Sequence, residues 1–287
     1  MGGCKRTTPA TSEAPDAAAT TPAIVKRKRA PSRDVTFLAV SDTHFGYVAE
    51  STHAVLVRKL DAIAGHPYPP GIGGTVAPPR GLLVTGDLTE WGREEEWSRF
   101  LAFYGNTGAD GGVQVPVREV VGNHDKVAGP YVTDQVAKRH GGKWYTFDWD
   151  DVRFFALGEA PDDDGLAWLA RELDALAPNV PIVLYFHFPL AGPFSTDQWF
   201  GDGNYRDRLG AMLDGRCVAA IFHGHHHASQ HYTWRGIHVY KPGAVKNDAH
   251  TFTVTRIAGS TVSVAYFDWE KDAWAFSHAR DMCERVP

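Results

Sequence analysis

Ile221-Phe222-His223-Gly224-His225-His226-His227 is the stretch on which the reading of the fold turns. It closes an apolar run that begins at Val218, and a short apolar run bounded by a turn residue reads as a buried strand. Gly224 lets the backbone turn where a side chain would collide. His225 and His227, two positions apart, face one point if the backbone stays extended. Neutral imidazole is the commonest protein metal ligand. The same residues also read as a surface histidine cluster or as a packed core histidine, so the rest of the chain has to decide.

Upstream, the same event recurs. A β-rich run, Val35 to Val40, ends at Ser41-Asp42-Thr43-His44. Ser51 to about Ala64 reads as a helix capped by Ser51, and His66 to Arg80 as an exposed Gly/Pro loop. Gly81 to Thr85 ends at Gly86-Asp87, followed by a helix from Glu94 to Tyr104. Val115 to Val121 ends at Gly122-Asn123-His124-Asp125. Lys143 to Trp149 and Val152 to Leu157 read as a hairpin, Leu166 to Leu176 as an amphipathic helix, and Pro181 to Phe186 as a strand ending at His187. Further strands are expected at Ile237 to Tyr240, His250 to Ile257 and Thr261 to Trp269. Alternating β–loop–α units with polar clusters at the strand ends imply a layered α/β protein with its site on one rim.

Each cluster alone is weak: Asp-x-His arises by chance, and Asp87 could cap a helix. Five clusters in one order, each at a strand end, are a different matter. Together they resemble the calcineurin-like metallophosphoesterase superfamily over about Val35 to Val254, through Asp42-Thr43-His44, Gly86-Asp87, Gly122-Asn123-His124-Asp125, His187 and Gly224-His225-His226-His227. The resemblance implies a four-layer α/β/β/α sandwich of two mixed sheets flanked by helices. It also implies two divalent metal ions, drawn from Mn, Fe, Zn, Co and Ni. Asp42, His44 and His227 would hold one, Asn123, His187 and His225 the other, and Asp87 would bridge them. A metal-bridged hydroxide would then attack phosphorus. His124 is expected to serve the leaving group, with Asp125 holding its ring. His226 is expected to face away, and His223 to be packed or to support a ligand.

Departures from the pattern narrow the branch. Leu88-Thr89-Glu90 follows the bridging aspartate where serine/threonine phosphatases have Asp-Arg-Gly, and Glu90 stands where purple acid phosphatases have a tyrosine ligand. The bacterial branch containing phosphodiesterases of small molecules is the nearer likeness. A phosphodiesterase is favoured, with a phosphomonoesterase, a nuclease and a non-catalytic binding module as alternatives. The substrate is expected to be a small phosphate ester, with Trp199 or Phe200 of the 188–205 loop against a base or acyl chain, or simply packed.

Composition bounds partners. The net charge of −5 argues against broad nucleic-acid binding. Residues 1–33, rich in Thr, Ala, Pro and Ser and then basic at Lys26 to Arg29, read as a disordered tail ahead of a 34–287 domain. Met1-Gly2-Gly3-Cys4 resembles the end of a bacterial lipoprotein signal. If the start lies upstream, a lipid on Cys4 would tether the domain outside the cytoplasm; as written, the chain reads as cytoplasmic. N-myristoylation is disfavoured by Arg6. Three scattered cysteines do not form a disulfide framework, and Cys217 reads as a packed core thiol. Nothing in the pattern specifies an oligomer.

Overall fold

Val35, Phe37 and Ala39 point to one buried cluster and Leu38 and Val40 to another, so the first strand is covered on both faces. That is the signature of a strand inside a layered sheet. The structure is a computed structural model that describes residues 1–3, 33–192, 195, 200 and 203–286. In chain order the first half contains β1 (Asp34–Val40), α1 (Glu50–Ala62), β2 (Leu82–Thr85), α2 (Glu94–Tyr104), β3 (Val117–Val120), α3 (Tyr131–His140), β4 (Tyr145–Trp149) and β5 (Val152–Ala156). The second half contains α4 (Asp163–Asp174), β6 (Ile182–Tyr185), α5 (Gly203–Leu213), β7 (Val218–Phe222), β8 (Ser229–Trp234), β9 (Ile237–Pro242), β10 (Thr251–Ala258), β11 (Thr261–Asp268) and β12 (Ala273–Asp281).

Two six-stranded mixed sheets result, ordered β12-β11-β10-β1-β2-β3 and β4-β5-β6-β7-β9-β8. In the first, β1, β2 and β3 are parallel and the other pairings antiparallel. In the second, β5, β6, β7 and β9 are parallel, with antiparallel strands at both edges. Three apolar layers separate the elements. Leu56, Leu60, Trp97, Phe100, Val132 and Val136 seat α1, α2 and α3 on the first sheet. Phe37, Phe154, Tyr185, Phe222, Tyr240, Val264 and Tyr266 fill the space between the sheets. Leu166, Leu169, Leu173, Leu209 and Leu213 seat α4 and α5 on the second. This is the four-layer α/β/β/α sandwich.

Three elements had no clear signature. Helix α3 buries only Val132 and Val136, one turn apart, too few for a periodic stripe. Strands β8 and β12 are half-exposed edges whose polar residues hide the alternation. The expected Ser51 cap is absent: α1 begins after Ala49, with no side-chain cap. Arg33, assigned to the tail by composition, hydrogen-bonds Asp151 (2.7 Å) and the Gly259 carbonyl (2.8 Å). Cys4 and Trp199 lie outside the described residues.

The expectation for Cys217 is corrected. It is bonded to Cys283, with Cα atoms 4.6 Å apart and a sequence separation of 66. The separation concealed a pair that the fold brings together, linking the start of β7 in one sheet to the chain just after β12 of the other. Closing a loop of that length removes about 4 kcal/mol of unfolded-state entropy in the chain-entropy model. Among the described residues, no helix is long and apolar enough to cross a membrane.

Candidate metal centre

The ends of β1, β2 and β3 in one sheet and β6 and β7 in the other deliver their polar residues to one place. The loops are tied to each other by backbone bonds: Asp42 N to Gly86 O (3.1 Å), His44 N to Asp87 O (2.9 Å) and Gly224 N to His187 O (3.1 Å). Clearance at two glycines makes this possible. A Cβ on Gly122 would lie 2.2 Å from Asp87 Oδ1, and one on Gly224 would lie 2.0 Å from Ser41 Oγ and 2.8 Å from Asp42 Oδ2. Gly224 is not a positive-φ glycine, so space rather than a special turn demands it.

Asp42, His44, Asp87 and His227 form one donor group, and Asp87, His187 and His225 a second, with Asp87 common to both. Asp87 Oδ2 lies 3.5 Å from His44 Nε2 and 3.2 Å from His187 Nε2. Asp42 Oδ1 is 3.2 Å from His227 Nε2. His44 Nε2 and His227 Nε2 are 3.3 Å apart, and His187 Nε2 and His225 Nδ1 3.2 Å apart. Asn123 Oδ1 completes the second group, 3.1 Å from His187 Nε2. His225 and His227 therefore serve different groups, because their backbones are left-handed rather than extended.

The outward nitrogens have partners of their own. His44 Nδ1–H donates to Glu90 Oε2 (2.7 Å), and His187 Nδ1–H to the Thr85 carbonyl (2.9 Å). The Asn247 amide lies 2.6 Å from His227 Nδ1. At His44 and His187 the inward nitrogen is thus the one left to meet a proton or a cation, and the orienting partner fixes which tautomer does so. Asp42 and Asp87 are 0% and 1% exposed, and buried carboxylates require compensating charge. Mixed imidazole, carboxylate and amide donors around a shared carboxylate fit two borderline divalent cations.

Electrostatics point the same way. Burial drives His44 down to about 4 against the pull of Asp87 and Asp42. Burial, reinforced by His187, takes His225 down to about 3. At His187 burial is overridden by the Asp87 carboxylate, and the imidazole rises to about 10. Asp87 is held well below the usual carboxylate range, burial being outweighed by His187 and His44. A cation entering here competes with the proton shared between Asp87 and His187, so its binding is pH-dependent.

Asp42, His44, Asp87, His225 and His227 all have positive φ, at 53°, 45°, 50°, 68° and 48°. They are five of the nine non-glycine residues in that region among the described residues, so the strain is concentrated at the centre. Each costs about 1–2 kcal/mol relative to right-handed backbone.

The sequence model of the calcineurin-like phosphoesterases matches residues 35–229. The chain belongs to this family. A relative from Rhodococcus erythropolis, described as a probable cyclic nucleotide phosphodiesterase, is 30% identical over 214 residues, covering 70% of this chain and 67% of its own. Among solved structures, a dimetal phosphatase from Danio rerio superposes with a TM-score of 0.62 at 13% identity, covering 86% of this chain and 99% of that one. The purple acid phosphatase PPD1 of yellow lupin gives 0.63 at 12% identity, over 88% of this chain and 54% of that one. At such identities the two superpositions establish the shared fold.

Around the centre of this calcineurin-like phosphoesterase, one expectation changes. Asp125 does not hold His124. Its buried carboxylate accepts from Gly122 N (2.8 Å), Leu88 N (3.1 Å), Thr89 N (2.8 Å) and Thr89 Oγ1 (2.8 Å), so it pins the β2 and β3 loops together. Burial, with Asp87 adding to it, pushes Asp125 up to about 7 against those donors. His124 Nδ1–H instead donates to the Glu90 carbonyl (2.8 Å), and its backbone N–H to Asp87 Oδ1 (2.9 Å). Phe200 is 2% exposed and stacks on Phe186 at 5.4 Å, so packing holds it, and it is also one of the residues lining a cavity of about 580 Å³.

Glu90 and Lys246 are the residues that sequence reasoning missed. Glu90 is buried beneath His44, and Lys246 Nζ reaches both its oxygens at 2.8 and 3.2 Å. The available signal was Glu90 itself, a carboxylate three positions beyond Asp87 where the family's other branches place different chemistry. His226 meets Lys241 Nζ through Nδ1, away from the donors. His223 is packed, bonded to the Gly224 carbonyl (2.9 Å) and Tyr232 hydroxyl (2.8 Å).

Proposed function

We propose that this chain is a dinuclear-metal-dependent phosphoesterase that hydrolyses a phosphodiester bond in a small molecule. The observation that carries it is the pair of donor groups sharing Asp87, with His124 beside them. Asp42, His44 and His227 would hold one cation, and Asn123, His187 and His225 the other. Two such cations neutralise the phosphate's charge and lower the pKa of bound water. The chain's own part is to orient the donors, balance the buried carboxylates and place His124. Because Nδ1–H of His124 is committed to the Glu90 carbonyl, the free Nε2 donates only as imidazolium. In that form it protonates a leaving oxygen or holds a phosphate oxygen.

A cavity of about 580 Å³ adjoins the centre, lined by Lys126, Lys143, Tyr145, Phe188 and Tyr205 among others. None of the metal donors lines it, but Phe188 touches both His187 and His225, with ring centres 5.5 and 5.1 Å away. Its volume suits a leaving group of nucleoside size. The likeness to a probable cyclic nucleotide phosphodiesterase supports a diester over a monoester. The net charge of −5 disfavours a nuclease. The test is a substrate panel with Mn-loaded enzyme: bis-p-nitrophenyl phosphate, p-nitrophenyl phosphate, cyclic nucleotides, lipid phosphates and DNA. Diester hydrolysis is expected to dominate; hydrolysis of the monoester alone overturns the diesterase reading.

His124→Ala is expected to lower turnover at least about tenfold with both cations still bound. Metal analysis alongside kinetics checks it, and loss of metal would assign His124 a different role. The Cys217–Cys283 disulfide favours an oxidising compartment over the cytoplasm, the compartment that a lipid anchor at Cys4 would require. An unmodified Met1 or Gly2 at the native amino terminus, found by mass spectrometry, would rule the anchor out.

A further inference from the structure

A second cluster of imidazoles lies where the two sheets meet at their outer strands. His231 is on β8 and His238 on β9, at the edge of one sheet, and His278 is on β12, the edge of the other. His231 pairs with Tyr240 and His238 with Thr233, which makes the two histidines diagonal neighbours on one face. His231 Nε2 is 2.8 Å from His238 Nδ1, their rings nearly coplanar at 7°. The His278 ring lies over His231 with centres 4.0 Å apart, and its Nδ1 meets the Tyr240 hydroxyl at 3.0 Å. One donor nitrogen from each residue falls within 4.8 Å of the other two.

Packing alone gives this arrangement little reason. His238 is 4% exposed, and its Nε2 has no hydrogen-bond partner. A buried polar nitrogen without a partner costs about 1–3 kcal/mol, which an aliphatic side chain would avoid. Among the described residues, no carboxylate is hydrogen-bonded to any of the three rings. The neighbouring cation, Arg280, donates to the carbonyls of Ala219, Asp281 (2.7 Å) and Met282 (3.0 Å) and also interacts with the Tyr240 hydroxyl.

We propose that His231, His238 and His278 form a third, mononuclear cation site that clips the outer edges of the two sheets together. A donor set of three neutral imidazoles with no oxygen selects Zn²⁺, Cu²⁺ or Ni²⁺ over Mg²⁺ or Ca²⁺. Three protein ligands leave one position for water, as in other three-histidine sites. The rings are held neutral. Burial, with His278 and Arg280 adding to it, holds His231 at about 4; burial and Arg280 hold His238 at about 3; and the same two causes lower His278. A cation therefore displaces no proton at neutral pH; it needs a tautomer shift in the His231–His238 pair and a turn of the His278 ring off the face of His231. His231 and His278 are half-buried, which leaves a path from solvent. The charge of Arg280 opposes a dication and Glu284 favours one, so binding is expected to be weaker than at the dinuclear centre. The clip would cross the same seam as the Cys217–Cys283 bond.

The test titrates metal-stripped full-length protein with Zn²⁺ by calorimetry and counts bound metal after dialysis. Wild type is expected to bind three equivalents and His278→Ala two, with hydrolysis of the best substrate unchanged within about twofold. Cu²⁺ electron paramagnetic resonance of the weakest site should show coupling to three imidazole nitrogens and lose it in His231→Asn. Wild type saturating at two equivalents, or folded His278→Ala retaining three, overturns the site, and the wild-type count decides even if the variants fail to fold. The dinuclear reading is judged separately, by the equivalents lost on changing Asp87.

Discussion

Asp87→Asn is expected to lower kcat/KM by at least about a thousandfold and to strip the chain of both cations of the dinuclear centre. Loss of an outer partner of a metal ligand costs about 10–100-fold. Asp87 is a direct donor common to both groups, so its loss should exceed that. The amide keeps the volume and can still accept from His124 N, which Asp87 Oδ1 does at 2.9 Å. What it removes is the charge facing His44 Nε2 at 3.5 Å and His187 Nε2 at 3.2 Å. Metal analysis together with diester hydrolysis checks this. A variant that keeps both cations would show that Asp87 is not the residue on which the two groups depend.

Glu90→Ala should weaken the first cation site about 10–100-fold and leave the second little changed. The Glu90 carboxylate fixes the His44 tautomer through a 2.7 Å bond and is itself fixed by Lys246. Without it, the His44 ring is free to turn and Lys246 loses its counter-charge beside a cation. The His124 contact is different in kind, because the Glu90 backbone carbonyl makes it and substitution retains it. Excess metal should therefore restore most of the turnover, which separates an orienting role from a direct part in the reaction. Glu90→Gln, whose amide oxygen can still accept from His44, should fall between. Unchanged metal affinity in Glu90→Ala would refute the role.

What could be read from the chain and what could not divide along a physical line. Buried strands announce themselves by apolar runs, and their ends carried Asp42, Asp87, Asn123, His187 and His225 in plain view. Donors also have few alternative uses, so an Asn-His pair after a buried strand carries information by its chemistry alone. The edge strands β8 and β12 pair with their neighbours in sequence, Trp234 with Ile237 and Asp268 with Ala273, but their polar, half-exposed residues hide the alternation. Distance along the sequence hid a different set: Cys217 with Cys283, and His278 with the hairpin pair His231 and His238. Asp125 was misread for a related reason. A carboxylate next to a histidine suggests a pair, but the 3₁₀ turn at His124–Lys126 aims it at the amides of Gly122, Leu88 and Thr89 instead.

Five of the donors sit on left-handed backbone, and at those positions two kinds of fitness diverge. The residue that would best suit the chain there is glycine, and the residue that can hold a cation is not. Thermal robustness chosen without regard to activity would erase the centre one donor at a time, each replacement looking like an improvement. A related protein that has kept the sandwich and abandoned hydrolysis should show its first losses at the positions of Asp42, His44, Asp87, His225 and His227.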